Sequence, residues 1–140
     1  MAHGSTLRAA ILATSLLAAC GGSFTVDGVT ILRYDGPVTG SPTALAIGTI
    51  RFLDGCVALE NPDPLGAPAS QTILWPPGTM LQRVDDRLGV AVGSVIAFDG
   101  DHVQLGGGEQ KDQEFVESLV GPVGRCRSDV YWLASTMQRT

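Results

Sequence analysis

The most constraining feature of the sequence is a set of Asp-Gly turn dipeptides placed between short, β-branched runs. Asp27-Gly28 separates "FTV" from "VTIL", and Asp54-Gly55 divides the apolar block 43–61. Asp99-Gly100-Asp101 separates two further extended runs. Asp-Gly between apolar runs is a strong local signal for a tight hairpin. The turns therefore predict a chain built mainly of short strands, with no helices between them.

Other apolar runs continue this pattern. Ala44 to Leu53 has the character of a long strand, in which Gly48 predicts a bulge or a sharp bend. Cys56 to Glu60 is its predicted partner. "QTILW" is a third strand, and the two prolines of "WPPGT" end it at Trp75. "DVYWLAS", residues 129–135, is the last predicted strand.

One segment has helical rather than strand character. Phe115, Val116, Leu119 and Val120 fit one face of a short helix, which Gly121-Pro122 ends. The sequence thus predicts five or six strands and one short helix. In a chain of 140 residues with 18 glycines, this pattern favours a single small all-β barrel.

Composition limits the classes of function. The chain is 44% hydrophobic and 16% charged, which is typical of a globular protein and not of a disordered one. Its formal net charge of -5 repels phosphate backbones, and no basic stripe is present. Nucleic acid is therefore not an expected partner.

The N-terminal segment has the order of a secretory signal peptide. Arg8 precedes an apolar run, Ala9 to Ala19, that is too short to span a bilayer as a helix of about 20 residues. Leu17-Ala18-Ala19-Cys20 then resembles the lipobox of bacterial lipoproteins. The resemblance implies a diacylglyceryl group on the Cys20 thiol, cleavage before Cys20 and acylation, for example with palmitate.

The resemblance also implies a cellular location and a domain organisation. The protein would be held on the extracytoplasmic side of a bacterial membrane, with the lipid bilayer as a partner through Cys20, because two or three acyl chains make release slow. Residues 1–19 would be the signal peptide, 20–42 a tether containing a hairpin signal, and 43–135 the β-barrel domain. An ordinary secreted protein, or a cytosolic N-terminal helix, remains the alternative.

The chain has three cysteines. If Cys20 carries lipid, then Cys56 and Cys126 are left as an even pair in a compartment where disulfides persist. We expect them to bond and to close a loop of about 70 residues. Two buried free thiols are the alternative, whereas a zinc site with His102 would be a poor ligand set.

The domain also resembles the OB-fold. Gly100, Asp101, Val103, Leu105 and the glycines that follow form a turn and an outward strand of a kind frequent in that barrel. Together with "CVALE", "ILWPPGT" and Cys126, they are similar to small bacterial lipoproteins of unassigned function. The predicted helix departs from the OB-fold, because it precedes the last strand instead of following the third.

The candidate catalytic and metal-binding residues form no known motif. After signal cleavage His102 is the remaining histidine, and the sequence has no GxSxG elbow. Asp85 and Asp86 would point to opposite faces of a strand. Asp99 and Asp101 lack the spacing of a calcium loop, and "LGGGE" lacks the Lys of a phosphate-binding loop.

A candidate binding surface combines Trp75, Gly106, Gly107, Gly108 and Trp132. Aromatic side chains beside a rigid turn offer contact area, and three glycines let a ligand or another strand approach the backbone closely. The favoured alternative is that Trp75 caps the barrel core and that the glycines form a bulge. We expect an envelope binding or scaffolding module without catalysis or cofactor, whose partner is an envelope protein or a small ligand. A small envelope enzyme or metal-binding protein, and a purely structural envelope component, are the alternatives.

Overall fold

The computed structural model describes residues 21–38, 43–62, 65 and 68–140, which form a structure built mostly of strands. The first five strands lie before the glycine-proline turn at 76–79: β1 Gly22–Val26, β2 Val29–Arg33, β3 Ala44–Leu53, β4 Cys56–Glu60 and β5 Ser70–Trp75. The elements after that turn are β6 Met80–Val84, β7 Arg87–Val92, β8 Val95–Phe98, β9 His102–Gln110, the helix α1 Gln113–Val120, a 3₁₀ turn Gly124–Cys126, and β10 Tyr131–Arg139. Cys20 and the predicted signal peptide lie outside the described residues.

Seven strands form one sheet in the order β1-β2-β4-β3-β9-β10-β5, with additional β2–β5 and β4–β5 pairings. Starting at β3, the pairings lead through β4, β5, β10 and β9 and return to β3, so the wall is barrel-like. The β5–β10 pair is parallel and the other four pairs of this wall are antiparallel. The predicted all-β class is confirmed.

The remaining three strands form a second sheet in the order β6-β7-β8. The sequence prediction of five or six strands was too low, mainly because the β6–β7 hairpin was missed. Its turn is Asp85-Asp86, and both residues have positive φ, of 49° and 63°. Asp tolerates this left-handed region better than most side chains, so a tight turn forms there without the glycine that usually signals it.

Residues 22–33 belong to the folded sheet. The predicted hairpin at Asp27-Gly28 forms as β1–β2. Strand β2 lies between the start of β4 and the end of β5, because Thr30 pairs with Cys56 and Leu32 with Leu74. The tether predicted over residues 20–42 therefore contains the β1–β2 hairpin, and this hairpin pairs with strands of the domain predicted over residues 43–135. The reason is that Leu32 and its neighbour Ile31 are buried core residues, each 1% exposed.

The core has two parts, one on each side of the wall. The inner core lies within the wall and against the second sheet: Ile31, Ile50, Val57, Leu59, Ile73, Trp75, Val90, Ala97, Val103, Leu105, Trp132, Ala134 and Met137. The outer core lies beneath the helix: Leu32, Tyr34, Cys56, Leu74, Val116, Val120, Val123, Cys126, Tyr131 and Leu133. Strands β5 and β10 contribute to both, as expected for parallel strands buried on both faces.

Helix α1 confirms the predicted helix and its end at Gly121. Asp112 begins it as an N-cap, since its carboxylate accepts from the backbone N–H of Glu114 at 3.0 Å. Val116 and Val120, one turn apart, are the buried residues of its inner face. The helix therefore serves to cover the outer core.

The Cys56–Cys126 disulfide is confirmed, with an S–S distance of 2.06 Å. It joins the first residue of β4 to the last residue of the 3₁₀ turn, across 70 positions of sequence. Thr72 adds a hydrogen bond at the same place, donating from Oγ1 to the Cys126 carbonyl at 3.0 Å. The bond thus holds the segment before β10 close to β4 and β5.

We predict that the double variant Cys56→Ser/Cys126→Ser is less stable than the wild type by roughly 2–5 kcal/mol, because its unfolded chain is no longer restricted by a long closed loop. Urea unfolding of both proteins measures the difference. Adding a thiol reductant should lower the stability of the wild type and leave the variant unchanged. Equal sensitivity of the two proteins to reductant would contradict the assignment.

We also predict that stability falls at alkaline pH through Tyr34. Its hydroxyl donates to the Ala134 carbonyl at 2.8 Å, and burial raises the pKa of this phenol. The unfolded phenol titrates near its ordinary pKa of about 10 and the folded one at higher pH, so stability present below about pH 10 is lost as the pH rises towards the folded pKa. Unfolding wild type and Tyr34→Phe from pH 8 to 11 should show their stability gap narrowing; parallel curves would contradict this.

Candidate functional site

The two tryptophans of the predicted binding surface are buried. Trp75 is 0% and Trp132 5% exposed, and both indoles pack in the inner core. Neither indole N–H has a hydrogen-bond acceptor among the described residues. The structure therefore brings the two side chains together as packing groups, and they present no accessible aromatic surface, because their strands are covered on both faces.

The glycine run Gly106–Gly108 lies in β9, where that strand approaches β10. Gly107 has a φ of 148°, and a Cβ at this position would lie 1.8 Å from the Leu133 carbonyl oxygen. Gly106 differs, because a Cβ there would meet the Thr136 side chain at 2.4 Å. The close approach that the glycines allow is therefore the approach of a neighbouring strand.

We predict that Gly107→Ala lowers the free energy of unfolding by at least about 3 kcal/mol, because a backbone oxygen cannot move aside without breaking the β9–β10 pairing. Gly106→Ala is the matched control, and we expect it to cost about 1 kcal/mol, since the Thr136 side chain can rotate away. Thermal and urea unfolding of the two variants provide the measurement. Equal losses would show that Gly107 has no special role.

The polar candidates are engaged in turns and strand contacts. His102 Nδ1 lies 3.0 Å from Thr49 Oγ1 on an exposed face. Asp99 accepts from the Phe52 N–H at 2.9 Å, and Asp101 accepts from the Phe98 N–H at 2.8 Å. These contacts order the turn before β9 and bring no two carboxylates onto one substrate position.

A groove that the sequence did not reveal lies between the β1–β2 hairpin and β6. Its volume is about 320 Å³. The lining residues are mostly apolar: Phe24, Val26, Arg33, Thr79, Met80 and Leu81. Phe24 and Val26 share one face of β1 because side chains alternate along a strand. The groove therefore has two apolar walls, one from each sheet.

The "WPPGT" segment shapes one end of this groove. Its turn places Thr79 so that the hydroxyl donates to the Pro76 carbonyl at 2.8 Å. The Thr79 carbonyl in turn accepts from Arg33 Nη1 at 2.9 Å. In the β1–β2 hairpin, Arg33 pairs with Gly22, which has no side chain to contact the guanidinium. The guanidinium lies instead over the ring of Phe24, 3.7 Å from its centre.

Arg33 is the chemically distinctive group of the groove. It is 8% exposed, and among the described residues no carboxylate lies within 4.0 Å of it. Arginines are rarely buried unless paired, because removing the charge from water is costly. A guanidinium has five N–H donors, and the described chain supplies one acceptor, Thr79 O. The remaining donors can serve an anion from outside.

An ion pair joins the two elements that wall the groove, further along β1 and β6. Arg83 of β6 contacts Asp27 of the β1–β2 turn at 2.5 Å. Both side chains are about half exposed, at 55% and 49%, so this pair adds little stability by itself. Its position nevertheless ties the tip of the hairpin to β6 and so keeps the two walls of the groove together.

A larger cavity has a less defined chemistry. It measures about 640 Å³ and lies between the second sheet and the end of β10, near Val95, Phe98 and Arg139. Arg139 already faces Asp101 at 3.5 Å, and its side chain is 55% exposed. No buried charge is therefore left for a ligand there, and the groove at Arg33 is the stronger candidate site.

Arg33 and the walls of the groove have no recognisable pattern in the sequence. Arg33 ends the run "VTIL", where a charge after four β-forming residues suggests only the end of a strand. The proline-rich turn predicts a binding surface at Trp75. In the structure the residue of this turn that lines the groove is Thr79. Contacts across 46 positions, as between Arg33 and Thr79, leave no local signal.

Comparisons with known proteins supply no relative for this chain: no family model, no curated protein and no solved structure matches it. Among the described residues, none of the helices has both the length and the apolar character needed to cross a bilayer. The same residues contain no group of three or more metal-ligating side chains. The function must therefore be argued from the site.

Proposed function

We propose that the protein is a bacterial envelope lipoprotein, anchored through an acylated Cys20, whose domain binds a ligand in the groove at Arg33 without catalysing a reaction. The observation that carries the binding role is the buried Arg33 guanidinium, which lines the groove and has no carboxylate partner in the part of the chain that the structure describes. No arrangement of a nucleophile beside a base accompanies it among the groove residues, which supports binding over chemistry.

The start of the folded domain supports a short attachment to the membrane. A Cβ on Gly21 would lie 2.7 Å from the Leu119 carbonyl oxygen and 2.9 Å from the Asp35 amide, so the chain is already packed against the sheet and the end of α1 at this residue. An acylated Cys20 would place the domain directly at the bilayer surface, with no tether between them. The Cys56–Cys126 bond is consistent with an oxidising compartment outside the cytoplasm.

The wall supports the finer assignment of an OB-like barrel. Its five strands follow the order β3-β4-β5-β10-β9, and the OB-fold is a five-stranded, partly open Greek-key barrel. Two features depart from that fold: the second sheet stands between the third and fourth wall strands, and α1 precedes the fifth.

These additions bear on where a ligand would bind. OB-folds bind oligonucleotides and oligosaccharides on the face of their second and third strands. Here the outer sides of β4 and β5 carry Cys56 and Leu74, which are covered by Val116 and Val120 of the helix. The chain's own elements occupy that face, which supports a ligand site elsewhere and argues against a strand of nucleic acid.

Scaffolding is the second candidate function. Leu45 and Ile47 are 60% and 51% exposed on one face of β3. Residues 44–48 of this strand pair only with β9 among the described strands, and β4 begins its pairing at Thr49. An exposed apolar strand with an unpaired edge is a common site for adding a strand of another protein.

We predict that the wild type incorporates a fatty-acid analogue in bacterial cells and that Cys20→Ser does not, because the thiol is the attachment point for lipid. Metabolic labelling followed by purification provides the measurement. Ser15→Ala, which changes the apolar segment and keeps the lipobox, is the matched control and should label like the wild type. Labelling that persists in Cys20→Ser would reject the anchor.

A further inference from the structure

We propose that the groove at Arg33 binds a single-chain fatty carboxylate, with the carboxylate at the guanidinium and the alkyl chain between β1 and β6. The inference rests on the proposed function in one respect, namely that this groove is the ligand site of the domain. It does not need Cys20 to be acylated, so the two ideas can fail separately.

The charge of the groove selects an anion. Among the described residues, the hydrogen-bond and ring partners of the Arg33 side chain are the Thr79 carbonyl and the Phe24 ring, and neither carries a formal charge. These two contacts hold the guanidinium in place, so a ligand does not have to order a flexible side chain. A planar guanidinium matches a carboxylate with paired N–H···O bonds, which are stronger when the site is shielded from water.

The walls of the groove select an alkyl chain. Val26 is 38% and Met80 60% exposed at the rim, while Phe24 and Leu81 are partly buried behind them. Methionine adapts its shape to an irregular partner. Each methylene transferred from water to such a surface raises affinity about fourfold, so a chain of several carbons would bind well without further polar contacts.

The size of the groove limits the ligand to one chain. Its volume of about 320 Å³ is at the lower end of small-molecule sites, which range from about 300 to 1,000 Å³. A two-chain phospholipid is too large for it. The carboxylate end is also fixed, because Arg33, with its contact to the Thr79 carbonyl, is the one charged side chain among the described lining residues.

The groove lies close in sequence to Cys20, and a nearby membrane would be a source of such a ligand. Phe24 is four residues beyond Cys20, a distance of at most about 14 Å along an extended chain. If Cys20 is acylated, the groove lies beside the bilayer, where fatty carboxylates partition.

The test uses the full chain carrying Cys20→Ser, so that no acyl chain attached to the protein competes for the groove. Isothermal titration below the micelle threshold compares dodecanoate, dodecanol and butyrate. We expect dodecanoate to bind at least about tenfold more tightly than either of the others, because dodecanol lacks the charge and butyrate the chain. Equal affinity of dodecanoate and dodecanol would overturn the proposal.

Variants locate the binding. In Arg33→Gln the preference for dodecanoate over dodecanol should disappear, whereas Arg127→Gln, which removes an exposed charge outside the groove, should keep it. Unchanged preference in Arg33→Gln would overturn the assignment to this groove.

Because Arg33 is buried, a second pair of variants avoids the risk that its replacement misfolds. Met80→Glu places a negative charge on the exposed rim and should weaken dodecanoate binding at least about tenfold. Leu53→Glu adds the same charge at an exposed apolar position outside the groove and should bind like the parent. Circular dichroism melting shows that each variant is folded. Equal dodecanoate affinity in folded Met80→Glu and Leu53→Glu would overturn the proposal, whatever the labelling of wild-type Cys20 shows.

Discussion

The parallel pairing of β5 with β10 is the interaction on which the rest of the structure depends. Trp132 pairs with Ile73 and Leu133 with Leu74, so successive residues of both strands supply the inner and then the outer core. A parallel pair cannot be made by a tight turn, and the chain between the two strands must cross over. The Cys56–Cys126 bond helps to position this crossover, because it holds the segment before β10 beside the wall.

The groove forms where the β1–β2 hairpin meets the second sheet, beside this wall. The β1–β2 hairpin and the second sheet are each joined to the wall, and they meet through Arg33–Thr79 and Asp27–Arg83. Burying the Arg33 guanidinium without a carboxylate partner among the described residues costs stability, because the charge is removed from water. A binding role gives this arrangement a physical reason, since a bound anion would complete the charge pair.

Local signals predicted much of the fold. The strands Ala44–Leu53 and Cys56–Glu60 and the end of the helix at Gly121 follow from hairpin turns, periodicity and caps that act over a few residues. The cysteine pair was predicted from the resemblance of Leu17-Ala18-Ala19-Cys20 to a lipobox, which leaves Cys56 and Cys126 as an even pair. The Asp85-Asp86 turn was missed because its backbone conformation has no glycine to mark it. Burial of Trp75 in the core was one of two interpretations of its strand, and the packing of both faces of that strand decided between them.

The sequence by itself determined which segments extend, where they turn and which side chains share a face, because these properties depend on neighbours in the chain. Only the tertiary structure decided which faces are covered and which distant residues meet. Trp132 became part of the core because β10 is enclosed on both sides. Arg33 came to line a groove because β6 approaches β1 across a long stretch of sequence. Such contacts depend on how the sheets pack, and packing leaves no local pattern of residues.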